Sequence, residues 1–210
     1  MTNIQALTPS EIIPEDAQSR VLRFLWRSRA EWSGREIARQ AGLSAPSCHE
    51  ALKKLDARGL VRLRRVSNMH LYALNGDSYL VQNAFAPLFE AQEALPRQID
   101  ALVKRTLAGS SQDGILTIVI FGSMARGTPR LGSDLDVLVV LRGRRNAKQL
   151  ESRIENLRLL LFKRFHLSLS PYVQTVSELR RKHERKLPLI QEILKDGRTI
   201  CGQDIKELLL

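Results

Sequence analysis

The chain has 210 residues, room for one large or two small domains, and 43% apolar content, enough for each half to bury a core. No apolar run is long enough to span a bilayer, and the two cysteines, Cys48 and Cys201, lie far apart without metal-ligand or redox spacing. Met1 to Asp16 carries Glu11, Glu15 and Asp16 but no Lys or Arg, unlike a secretory signal, so a reduced, cytoplasmic protein with no membrane partner is expected.

The formal net charge of +11 is unevenly placed. Residues 1–76 hold 12 basic against 7 acidic side chains, residues 77–114 hold 3 against 5, and residues 115–210 hold 18 against 10. Basic ends around a mildly acidic middle suit two anion-facing modules with a spacer between them. Solvated Lys and Arg faces would give the same count.

Val21, Leu22, Leu25 and Trp26 recur at helical spacing and predict a first amphipathic helix. Ser33 and Glu36 have the spacing of a capping box, and Gly42 suits a left-handed helix end. Ser44 then caps a third helix with Pro46 in its first turn, Cys48, Leu52 and Leu55 inward and Gly59 at its end. Val61 to Arg65 and Leu71 to Leu74 alternate as two strands around a polar tip at Ser67 and Asn68.

Three helices and a hairpin in this order, with Ala51 to Leu55 leading through Arg58 and Gly59 to Val61, resemble the winged-helix domains of bacterial transcription regulators. The resemblance implies a double-stranded DNA partner. Ser47, His49, Glu50 and Lys53 would face a major groove, and Arg62, Arg64, Arg65 and His70 would reach phosphates or a minor groove. His49 and His70 have no partner ligands nearby in sequence and are not metal candidates.

Asp77 to Ala108 reads as one long or two shorter helices, with Pro96 at a start or a kink. Its broad apolar stripe permits a homodimer through this segment, or packing within the chain. Gly109 to Gly114 reads as a connection.

The most informative stretch follows. An apolar run from Ile115 to Phe121 stops at Gly122 and Ser123, ten residues intervene, and a second apolar run opens with Asp134, Leu135 and Asp136. Alternation along a strand puts both aspartates on one side, with Leu135 and Val137 directed inward. Two such carboxylates repel unless a cation sits between them, and hard oxygen ligands suit Mg²⁺. Backbone N–H groups after Gly122 would attract phosphate, which glycine lets approach closely.

Gly122-Ser123 followed by Asp134-x-Asp136 and Val137 to Val140 resembles the nucleotidyltransferase superfamily of DNA polymerase β, most of all its minimal bacterial branch. The resemblance extends from Ile115 towards the C-terminus, where Leu187 to Ile190 and Gly197 to Ile200 look like its closing helix and strand. It implies transfer of a nucleoside monophosphate from a nucleoside triphosphate, ATP being the expected one, to a hydroxyl. Asp134 and Asp136 would be the catalytic residues, holding Mg²⁺ or Mn²⁺. Gly122 and Ser123 would meet the triphosphate, and Arg126 would be a phosphate or structural partner. The minimal branch often pairs with a small helical protein whose Tyr it modifies, so a protein acceptor and toxin–antitoxin biology come with the resemblance.

The two resemblances imply an α+β chain: a winged helix-turn-helix over residues 1–76, a helical linker or dimerisation segment over 77–114, and a mixed sheet with flanking helices over 115–210. One departure bears on turnover. The superfamily's third carboxylate stands on a later strand, yet no Asp or Glu lies between Glu155 and Glu178. The strand expected over Leu167 to Thr175 offers Ser168, Ser170 and Tyr172 on one face. A neutral hydroxyl is a far poorer base and cannot balance a second divalent cation. The base is then absent, or supplied by His166 or Glu178, or the acceptor arrives activated. A non-enzymatic regulator using the domain as nucleotide sensor or oligomerisation element stays open beside the transferase. Asn146 to Phe165 reads as a basic helix preceded by Arg142, Arg144 and Arg145, candidates for guiding substrate or a solvated loop.

Overall fold

The computed structural model describes residues 16–108, 114–128, 132–144 and 147–209. The segment before Asp16, most of the connection after Ala108, Arg145 and Asn146 lie outside the described residues. The fold is α+β, in two compact units that divide between Leu95 and Pro96. No described helix is long and apolar enough to cross a membrane.

The first unit opens with α1 (Ala17–Ser28), capped by the Asp16 side chain on the Ser19 N–H at 2.8 Å. A two-residue strand β1 (Trp32–Ser33) leads into α2 (Gly34–Ala41), where Ser33 and Glu36 form the expected reciprocal cap. Gly42 ends this helix at φ 63°, a left-handed conformation that glycine adopts without a Cβ penalty. Helix α3 (Ala45–Ala57) starts at Ser44, and β2 (Val61–Val66) and β3 (Met69–Leu74) close the hairpin. Strand β3 is central, with β1 and β2 antiparallel on its two sides. Leu25, Ile37, Leu52, Leu55 and Tyr72 are buried together, and Val81 and Phe89 join the same core.

After a π-helical turn (Val81–Phe85), α4 runs over Ala86–Leu107 with Pro96 inside it. This helix, in the segment read as a linker or dimerisation element, is shared between the two units. Phe89 belongs to the first unit's core, while Ile99, Leu102, Val103 and Leu107 are buried in the second unit, where Asp100 receives a bidentate ion pair from Arg198.

The second unit is built on β4 (Ile115–Phe121), β5 (Leu135–Leu141), β6 (Leu169–Thr175) and β7 (Arg198–Gly202), in the order β6-β5-β4-β7. β4 is antiparallel to β5 and β7, whereas β5 and β6 are parallel through the crossover helix α6 (Ala147–Phe165). A one-turn helix α5 (Gly122–Ala125) leaves the end of β4. Helices α7 (Val176–Glu184), α8 (Pro188–Asp196) and α9 (Ile205–Leu209) follow β6, with β7 inserted before the last. Successive residues from Val137 to Val140 are all fully buried, so both faces of the sheet are covered and alternation is lost there. Val119, Phe121, Leu138 and Val140 share a core with Leu179, Ile190, Ile193 and Ile205 of α7, α8 and α9. Pro171 sits in β6, tolerated because β6 is an edge strand.

Glu178 has a structural role at the start of α7. It accepts the Thr175 N–H at 2.8 Å and a hydrogen bond from Arg144 at 2.6 Å, which hold its carboxyl down at about 2 from the ordinary 4.5. A group whose pKa is lower in the folded state binds more protons when unfolded. Its contribution is present above the unfolded value and is lost as pH falls towards the folded one. Glu178→Gln should therefore flatten the acid side of the stability profile between about pH 5 and about pH 2. Urea midpoints across that range, compared with wild type, measure it; parallel profiles would refute the assignment.

Candidate functional site

The junction of β4 and α5 is fixed by Gly122. Its φ is 71°, and a Cβ built there would collide with the Asp136 carboxylate. Glycine at this position therefore keeps a backbone turn and an acidic side chain in direct contact. Phe121 pairs with Asp136 across β4 and β5, which brings the end of one strand to the start of the other. Since α5 is a single turn, its dipole is small, and any anion it meets is held by individual N–H groups without an intrahelical partner.

Asp136 is partly buried, and Asp134 is exposed one residue before β5 begins. Leu135 and Val137 are fully buried, as the alternation predicts. Burial pushes the Asp136 carboxyl above its ordinary value. A hydrogen bond from Ser170 opposes that, the neighbouring Asp134 raises it further, and Arg126 offsets it. Ser170 is the direct partner of Asp136 across the parallel β5–β6 pair. It therefore occupies the place on β6 nearest the acidic pair, and β6 contains no carboxylate.

Two carboxylates and one hydroxyl, with the space beside Asp136 kept free of a Cβ, fit one small divalent cation such as Mg²⁺ or Mn²⁺. Water and phosphate oxygens would complete its shell. Among the described residues, no third His, Cys, Asp or Glu groups with them.

Arg126, the residue that ends α5, pairs with Asp196 of α8 at 3.5 Å while also acting on Asp136. Two residues along β6 from Ser170, the Tyr172 hydroxyl accepts from Lys182 of α7 at 2.7 Å, and the ammonium lies 4.9 Å from the ring centroid. Asp196 and Lys182 are neighbours that no motif announces, since both come from helices far along the chain. Their place follows only from how α7 and α8 cover the sheet.

Glu178 falls elsewhere. Thr175 pairs with Leu141 at the opposite end of β5 and β6 from Asp136 and Ser170, and Glu178 and Arg144 are bonded to each other there. Glu178, one of the alternatives left open for the missing base, is thus not placed to act on the acidic pair. A small cavity lined by Leu141, Arg144, Ile154, Thr175 and Glu178 belongs to that far end as well. His166 stands edge-on to Phe162 of α6, with ring centroids 5.7 Å apart.

In the winged helix, Ser47, His49, Glu50 and Lys53 are all exposed on α3, and Cys48 and Leu52 are buried behind them. The Ser47 hydroxyl accepts from Ser44 at 2.8 Å, so it is partly committed to the helix cap. The wing arginines separate into two sets. Arg62 and Arg64 share one face of β2 and pair with Asp77 and Glu31. Arg65 lies on the other face, opposite His70. His70 in turn lines a groove with His49, Arg35 and Tyr72. The groove next to α3 therefore combines His49 and His70 with Arg35, the first of α2's charged residues, which the sequence motif does not single out; Arg65 lies across the hairpin from His70, and Lys53 is exposed on α3.

Residues 99–201 match the family described as nucleotidyltransferase domain, and residues 14–68 match the MarR family. No curated protein matches the chain. Among solved structures, a toxin–antitoxin with AMP-PNP is 17% identical, with 54% of this chain and 80% of that one covered at a TM-score of 0.37. A mutant of ZitR from Lactococcus lactis is 19% identical, with coverages of 46% and 63% and a TM-score of 0.34. A mutant of the toxin–antitoxin MntA-HpeT is 15% identical, with 54% and 80% covered at 0.36. The chain carries a MarR-type winged helix in its N-terminal part and a nucleotidyltransferase domain in its C-terminal part.

Proposed function

We propose that the C-terminal unit binds Mg²⁺ or Mn²⁺ with a nucleoside triphosphate, ATP first among them, and transfers the nucleoside monophosphate to a hydroxyl acceptor. The winged helix, on this reading, binds double-stranded DNA, and the setting is the cytoplasm. The observation that carries the nucleotide half is the contact between Gly122 and Asp136, which a Cβ would destroy. Asp134 and Asp136 hold the cation, the N–H groups of the Gly122–Ala125 turn meet phosphate oxygens, and Arg126, kept in place by Asp196, turns its guanidinium to phosphate. When bound, the cation neutralises charge on the phosphate oxygens and orients the reacting phosphorus.

In the transfer, the acceptor oxygen forms a bond to the α-phosphorus. The bond from that phosphorus to the oxygen bridging to the β-phosphate breaks, pyrophosphate leaves with the electron pair, and the acceptor proton passes to water. Ser170 is neutral and cannot take that proton near neutral pH. This feature favours an acceptor already acidic or activated, a protein Tyr phenol included. It also supports a second reading, a regulator that senses nucleotide without turnover.

α-Labelled NTP with Mg²⁺, offered to protein hydroxyls, RNA ends and small hydroxyl compounds, tests the proposal. Label transfer with pyrophosphate release is expected. Nucleotide-shifted DNA affinity with the nucleotide intact would favour the sensor, and absence of any NTP binding would sink both.

A further inference from the structure

We infer that Ser170 makes this a one-cation site. The inference rests on the nucleotide reading above and concerns how many ions the chain can hold beside the nucleotide. Partners across parallel strands project to the same side of a sheet, and neighbouring strands lie about 4.8 Å apart. Ser170 is the partner of Asp136 on β6, and its hydroxyl donates to that carboxylate. It fixes the orientation of Asp136 but brings no charge.

Two divalent cations in one site stand about 3.5–4 Å apart, and their repulsion is offset by protein carboxylates together with the nucleotide's phosphates. Among the described residues, the chain supplies no third carboxylate there. Asp196 is committed to Arg126 at 3.5 Å, Glu178 is bonded to Thr175 and Arg144 at the far end of the strands, and the other hydroxyl residues nearby, Ser168 just before β6 and Tyr172 within it, are neutral. The nearby charges are instead of the wrong sign. Arg126 acts on Asp136, and Lys182 stands on Tyr172, two residues past Ser170. Arg126 thus brings a permanent positive charge to the acidic pair, where a second metal ion would need negative charge. Ser170 is a positioning residue for Asp136, and its neutrality sets the ion count at one.

Native mass spectrometry of the full-length protein with Mn²⁺ and a non-hydrolysable ATP analogue counts the ions directly. One Mn²⁺ per bound nucleotide is expected for wild type and for Ser170→Ala, and two for Ser170→Asp. A merely structural role for Ser170 would leave the count unchanged in Ser170→Asp, and that result overturns the inference. Two ions in wild type overturn it without any variant, with the nucleotide reading intact. Wild type that binds neither Mn²⁺ nor the analogue overturns both together.

Discussion

Asp136→Asn should abolish nucleotidyl transfer, by at least about 10²-fold, and at the same time make the fold more stable near neutral pH. The two effects share a cause. Burial and the proximity of Asp134 raise the Asp136 carboxyl above its ordinary value, so the folded state binds a proton there more readily than the unfolded chain does. Such a group favours folding below its unfolded pKa, and that contribution is lost as pH rises through the folded value. At neutral pH the charged Asp136 is therefore a cost that Ser170 and Arg126 only partly offset. Asparagine removes the charge with almost no change in volume. Gly122→Ala makes the complementary case. It should lose nucleotide binding with a lower melting temperature, because the new Cβ meets the Asp136 carboxylate and the backbone at φ 71° disfavours it. Thermal melts and transfer assays on both variants check the pair. A destabilised Asp136→Asn, or a fully active Gly122→Ala, would contradict the account of this site.

Much of that site is legible in the residues themselves because its parts are local. The Gly122-Ser123 turn, the buried Leu135 and Val137 and the acidic residues around them depend only on a strand ending and another beginning. The same holds for the Ser33–Glu36 cap and the left-handed Gly42, which are decided within a few residues. What escapes is long-range. Alternation over the expected strand groups Ser168, Ser170 and Tyr172, but only the register of the parallel crossover through α6 selects Ser170 as the partner of Asp136. The same register carries Glu178 to the far end, where the Thr175 cap and Arg144 claim it. β1 is two residues long, too short to carry a period, and is defined by its pairing with Tyr72 and Leu71. Pro96 leaves one or two helices open in the sequence, and α4 is continuous through it. The split of the wing arginines follows from period-two alternation, a signal that vanishes when the charges are counted without being placed on faces.

That split yields the second large effect expected. The double variant Lys53→Ala, Arg65→Ala should weaken DNA binding and lower the slope of log affinity against log salt by about two, one for each phosphate no longer neutralised. Lys53 is exposed on α3, and Arg65 faces His70 on the side of the hairpin that borders the groove with His49 and Arg35. Arg62→Ala, Arg64→Ala removes the same charge from the same hairpin. Those two guanidiniums already pair with Asp77 and Glu31, so each exchanges an existing partner for a phosphate and gains less from doing so. The salt slope of this second variant should stay within about one unit of wild type. Fluorescence anisotropy on duplex DNA across a salt series measures all three proteins. Equal losses for the two doubles would mean that net charge alone drives binding, with no preferred face. A larger loss for Arg62 and Arg64 would put the duplex on the opposite side of the wing. Only the predicted order ties binding to the surface that α3 shares with Arg65 and His70.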